Sequence, residues 1–158
     1  MAGEAEVLVV GRPLGWATLP HLRPEASHSS KLAVVVPFTD TYGTLAAMRM
    51  AGRLSQDLDA QINLVAFQVV PYKLELKRPA IAIACLEERL RALASDLAVP
   101  MHVDIILCRD ARWALQQLLM PHSLVVMGTR RRWWRTKEQR LAERLRHDGH
   151  RVILACLQ

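Results

Sequence analysis

The chain has 158 residues, 51% hydrophobic and 23% charged, with 21 Lys and Arg against 15 Asp and Glu for a formal net charge of +6. That make-up belongs to a globular domain large enough to bury a real core, and it excludes a disordered or low-complexity chain. No apolar stretch approaches the ~20 residues of a membrane span. No basic start followed by an apolar run and a small-residue cleavage site is present, so no signal peptide is expected.

Residues 1–30 hold one apolar run, Val7–Val10, followed by Gly, Pro, His and Ser without helical periodicity. They read as an arm with one edge strand, ahead of a domain over residues 31–158. The V-L-V-V-G-R of the arm echoes V-V-M-G-T-R at residues 125–130, which a truncated preceding copy of the same fold, or chance, would produce.

Residues 32–36 predict a first strand ending at Pro37, with Asp40 or Thr41 capping the helix that follows. In that helix Leu45, Met48, Ala51, Leu54 and Leu58 recur at three- to four-residue steps and form one apolar stripe. Residues 62–70 are an almost unbroken apolar run suited to a central parallel strand. After a polar connection, Pro79 sits where a first-turn proline is tolerated. Ile83, Leu86, Leu90, Leu93 and Leu97 then form a second helical stripe, with Glu87 and Arg91 spaced for an ion pair on its outer side.

Residues 103–107 predict the third strand, Asp110 caps a short helix through Leu119, and Pro121 stops it. Residues 123–127 predict the fourth strand. Gly128 supplies permissive backbone for an abrupt turn into a loop, and Thr136 with Gln139 forms a capping box that starts a helix over about residues 137–147. Gly149 terminates it, and Val152, Ile153, Leu154 and Ala155 make the fifth strand. This regular alternation with short links predicts an α/β fold, a parallel open sheet with helices on both faces.

The basic charge is concentrated. Residues 130–140 contain five arginines and one lysine against one glutamate, a net +5, with Trp133 and Trp134 between them. They follow the fourth strand, on the side where open α/β sheets bind ligands.

The V-V-M-G-T-R run, the L-A-E-R-L-R-H helix and the closing R-V-I-L-A strand resemble the C-terminal half of a universal stress protein domain. The resemblance spans residues 31–157, specific in the last third and architectural before it. It implies the adenine nucleotide alpha hydrolase-like fold with five strands in the order 3-2-1-4-5. In that order the 37–40 and 128–132 loops face each other across a crevice.

Relatives that hold ATP carry an acidic V-D-G-S-like turn after the first strand, and G-x-x-G, nine residues and G-(S/T) after the fourth. Glycines there let backbone N–H groups approach phosphate oxygens. This chain departs from that pattern: Pro37 stands at the Asp position, Asp40 comes three residues late, and only Gly128 and Thr129 match the first glycine and its neighbour. Arg131 replaces the second glycine, and Gln139 and Arg140 fall at the Gly-Ser pair, after a loop two residues short. An ATP grip of the family's kind is therefore not expected, and no cofactor is required. The alternative is a nucleotide or other anion held by Arg130, Arg131 and Arg135 through charge-assisted, bidentate bonds.

Trp133 and Trp134 suit a sheet-edge packing role, a protein partner, stacking on nucleic-acid bases, or the headgroup layer of an anionic membrane. There is no G-x-S-x-G elbow, H-E-x-x-H helix or complete G-x-x-x-x-G-K-(S/T) loop, so no catalytic residue and no metal site is expected. His147 and His150 straddle a helix end and read as caps. The three cysteines, Cys85, Cys108 and Cys156, are widely spaced with no C-x-x-C pair and read as buried, reduced thiols of a cytoplasmic protein. The resemblance further implies a homodimer paired through residues 152–155, a stress-response or regulatory role, or a regulatory module of a membrane transporter.

Overall fold

In a computed structural model, residues 7–10, 32–76, 83–97, 99–130 and 136–156 are described, the first four by their backbone alone. The strands are β1 (Val7–Val10), β2 (Ala33–Pro37), β3 (Gln61–Val69), β4 (Met101–Cys108), β5 (Leu124–Thr129) and β6 (Arg151–Cys156). The helices are α1 (Thr41–Leu58), α2 (Ile83–Ser95), α3 (Ala111–Leu118) and α4 (Lys137–His147).

The sheet order is β1-β4-β3-β2-β5-β6. The five strands from β4 to β6 run parallel, and they are the expected strands in the expected order 3-2-1-4-5. Beyond them, β1 adds to β4 antiparallel, with Val7 opposite Cys108 and Val10 opposite Ile105. The arm thus supplies an edge strand to the domain's sheet. Its echo of the β5 motif has no counterpart in direction, since β5 lies parallel to its neighbours.

Alternation along each strand sends successive side chains to opposite faces. Val34, Val36, Ile62, Leu64, Ile105 and Leu107 join Met48, Ala51 and Leu90 of α1 and α2 in one core. Val35, Val65, Ile106, Val125 and Met127 join Ala114, Leu115, Ala142 and Leu145 of α3 and α4 in the other. Fully burying one such large side chain contributes about 1.5–3 kcal/mol, so the two layers account for why both strand faces are apolar.

Two readings of helix faces divide here. In α2, Leu90 is buried with Ile83, Leu86, Leu93 and Leu97 packed around the same core, and Arg91 pairs with Glu87 on the outer side, as the spacing predicts. In α1 the predicted stripe holds at Met48, Ala51 and Leu54 and gives out at its end. Leu58 is half exposed, whereas Gly43, Thr44, Ala47, Met48, Ala51, Gly52 and Ser55 are buried. The buried face is made mostly of small residues, because α1 lies close against the sheet and leaves little depth for large side chains.

Helix ends follow local chemistry. The Asp40 side chain caps α1, the Asp110 side chain caps α3, and both sides of the Thr136–Gln139 capping box are formed at α4. At the far end of α4 the expected histidine side-chain caps are replaced by backbone. The N–H groups of Asp148, Gly149 and His150 donate to the carbonyls of Arg144, Arg146 and Leu145, made possible by Gly149 at φ +91°. The His147 ring is exposed beside Asp148. Among the cysteines only Cys108 is buried; Cys85 and Cys156 are exposed, one at an outward position of α2 and one at the end of edge strand β6.

Candidate functional site at the carboxyl edge of the sheet

From β2 the sheet continues through β3 in one direction, and from β5 through β6 in the other, so the carboxyl ends of β2 and β5 border the switch point. Three of the predicted residues meet there. The Arg130 Nη2 atom donates to Asp40 Oδ1 at 3.3 Å, and the Arg130 guanidinium lies 5.9 Å from the Tyr42 ring centroid. The Thr129 hydroxyl lies 3.4 Å from that of Thr136.

Asp40 is occupied from within. Its Oδ1 accepts the backbone N–H groups of Tyr42 at 3.0 Å and Gly43 at 2.9 Å, while its own carbonyl accepts from the Thr44 N–H. The Gly43 N–H bond holds its carboxyl below the usual value against the opposing effect of partial burial, and Arg130 adds to the lowering. The Arg130 and Asp40 side chains are 53% and 40% exposed, so the ion pair itself contributes only about 0–1 kcal/mol. The helix cap is the stronger tie.

The second helix N-terminus on this edge is closed in the same way. Thr136 Oγ1 accepts from the Gln139 N–H at 3.2 Å, and Gln139 Oε1 accepts from the Thr136 N–H at 3.0 Å. An anion arriving at either helix start would have to displace a side chain of this protein before it met those N–H groups.

Gly128 departs from its predicted role. It is not the start of a loop: β5 runs on through Thr129, in register with Cys156, and Gly128 has no left-handed backbone. Its lack of a side chain is needed for packing. A Cβ on Gly128 would sit 1.8 Å from the Gly43 carbonyl oxygen, with the Gly43 Cα at 2.4 Å. The two glycines let α1 settle directly on β5.

Arg140 is exposed in the first turn of α4. Among the described residues, no hydrogen bond or ion pair joins its side chain to Asp40, Thr129 or Arg130. Arg131, Trp133, Trp134 and Arg135 lie outside the described residues. The strand proposed for dimer pairing, with Val152, Ile153, Leu154 and Ala155, is an edge of the sheet. No cluster of His, Cys, Asp or Glu suited to a metal occurs among the described residues.

One feature of this edge escapes sequence reasoning. Arg109, the first residue after β4, donates from Nη1 to the carbonyls of Val70, Pro71 and Leu74 at 2.9, 2.6 and 2.9 Å. Its guanidinium also lies 5.3 Å from the centroid of the Tyr72 ring. The only available signal is an arginine placed directly after a strand, as Arg130 is; its acceptors are backbone atoms and leave no mark in the sequence. A further arginine bond distant in sequence joins Arg89 of α2 to Thr41 Oγ1 at 2.5 Å.

No known protein family's profile matches the chain, and no curated protein matches it. Among solved structures it is similar to a macrolide-efflux protein from Streptococcus pneumoniae, at 14% identity and a TM-score of 0.44, over 81% of this chain and 46% of that one. The chain therefore spans about half the length of that structure.

Proposed function

We propose that the chain is a universal stress protein-like regulatory domain, non-catalytic and without the family's ATP grip. The observation that carries this reading is the internal closure of both helix starts at the switch point. Asp40 holds the Tyr42 and Gly43 N–H groups, and the Thr136–Gln139 box holds its own. In a phosphate cradle those groups face the ligand. Here they face side chains, and the sequence positions where relatives carry Asp and Gly-Ser are Pro37, Gln139 and Arg140.

No helix among the described residues is long and apolar enough to cross a membrane, and the regulatory role is proposed for the cytoplasm. The proposal includes a homodimer paired through the open edge of β6, where Ile153 and Leu154 remain partly accessible.

Calorimetric titration with ATP, AMP, a cyclic dinucleotide and inorganic phosphate tests the reading. Absence of saturable heat at high protein concentration supports it. Saturable ATP binding abolished by Asp40→Ala would restore the family's grip. Binding of phosphate and nucleotides alike, lost in Arg130→Gln, would favour the arginine-held anion. ADP release above blank on incubation with ATP would end the non-catalytic claim, and a monomer by sedimentation would end the dimer claim.

A further inference from the structure

Four neighbouring strands, in the spatial order β4-β3-β2-β5, deliver four residues to the carboxyl edge of the sheet. Arg109 follows β4, Tyr72 follows β3, Tyr42 opens the helix after β2, and Arg130 follows β5. Two cation–ring pairs result, Arg109 with Tyr72 and Arg130 with Tyr42. With strands about 4.8 Å apart, the carboxyl ends of these four strands span about 14 Å.

The two rings are open to solvent to an unusual degree, Tyr72 at 85% and Tyr42 at 64%. Both are tethered. Arg109 ties the turn that carries Tyr72 through three carbonyls and lies over one face of its ring. Tyr42 sits in the first turn of α1, fixed by its own N–H bond to Asp40 and flanked by Arg130. An aromatic platform held this way loses little freedom on contact.

Charge selects the partner. The chain carries +6 overall, and Arg130 is the first residue of a run, residues 130–140, whose sequence supplies a net +5. Of the acidic groups at this edge, Asp40 pairs with Arg130 and, like Asp110, accepts helix N–H groups, while Glu75 lies in the turn after Tyr72 and Glu138 in the first turn of α4. Paired rings for π-faces and an exposed guanidinium for a phosphate are the elements by which proteins hold single strands without reading sequence.

We propose that this edge binds single-stranded nucleic acid, with bases stacked on Tyr72 and Tyr42 and a phosphate held by Arg130. Arg109 is a positioning residue, whose carbonyl bonds set the Tyr72 turn. Neither tyrosine side chain takes part in closing the helix starts, and this edge shares with that closure only Arg130, through its pair with Asp40.

The test is fluorescence anisotropy of the full chain with a labelled oligouridylate of about a dozen nucleotides. Saturable binding that weakens with salt is expected. Tyr42→Ala with Tyr72→Ala should weaken it by about 30-fold or more, the equivalent of losing two stacked bases. Tyr42→Phe with Tyr72→Phe, which keeps both π-faces, should stay within about twofold. Arg130→Gln should reduce the slope of log affinity against log salt by about 0.7. Thermal melts of the same variants verify folding, which the exposure of both rings favours. No binding at low salt would overturn the proposal, and so would binding indifferent to loss of both rings. Binding to phosphatidylserine vesicles without binding to the oligonucleotide would overturn it in favour of a membrane surface.

Discussion

Replacing Gly128 by alanine probes the contact on which the switch point is built. The new Cβ would stand 1.8 Å from the Gly43 oxygen and 2.0 Å from its carbonyl carbon, where real Cβ contacts stay beyond 3.0 Å. Both sides of the clash are backbone, so no side-chain rotation relieves it. The start of α1 must retreat by more than an ångström, or β5 must bend, and either motion loosens the packing of Ala47, Met48 and Ala51, all fully buried. Overpacking commonly costs about 1–3 kcal/mol; a backbone collision belongs at or above the top of that range, about 3 kcal/mol. In a domain of this size that lowers Tm by about 6–12 °C. Urea unfolding should show a lower midpoint at unchanged slope. Gly43→Ala is the internal control: its Cβ meets Thr39 Oγ1 at 3.1 Å and the Gly128 carbonyl carbon at 3.4 Å. That crowding is offset by about 0.5–1 kcal/mol gained in a helix, so its net effect should stay within about 1 kcal/mol. A Gly128→Ala protein as stable as the parent, or less affected than Gly43→Ala, would refute the packing argument.

Asp40 has a folded-state pKa below its ordinary value, caused first by the Gly43 N–H bond. The stability it lends is present above the unfolded-state pKa and is lost as pH falls through the lower folded-state value. Asp40→Asn keeps a capping side chain and removes the titration, so its stability should change less than the parent's on acidification below about pH 4; identical acid limbs would contradict the assignment. Thr136→Ala should cost about 1 kcal/mol by removing one half of the α4 capping box, read as a shift in denaturation midpoint, and no shift would deny the box its role. The Cys108 thiol is pushed up to about 11, first by burial and then by Asp110. Near neutral pH, Cys85 and Cys156 should therefore react with a thiol reagent in the native protein and Cys108 only on unfolding. Three thiols reacting at one rate would count against that burial.

What was legible in the sequence was local in the chain. Thr136 and Gln139 stand three residues apart and announce their box; Asp40 and Asp110 precede helices and cap them. The strands were readable from apolar runs, to within a residue or two at each end. Their order was not, because periodicity carries no information on which strand lies beside which, and it came instead from the resemblance in residues 123–155.

Gly128 was misread for a related reason. Its need to be glycine lies in Gly43, distant in sequence and adjacent only after folding. The buried face of α1 is wider than the apolar stripe of Met48, Ala51 and Leu54, because Gly43, Ala47 and Ser55 join it by being small, which hydrophobic periodicity does not register. Arg109 was invisible as a clasp, since its partners are three carbonyls that any sequence would offer.

At the two helix starts of the switch point, the N–H groups of Tyr42, Gly43 and Gln139 are already taken by the protein's own side chains. Proton–nitrogen correlation spectra recorded as ATP is added address those atoms one by one. The amide signals of Tyr42, Gly43 and Gln139 should stay in place through the titration. Saturable displacement of all three, at an ATP concentration that leaves the rest of the spectrum unchanged, would contradict the account.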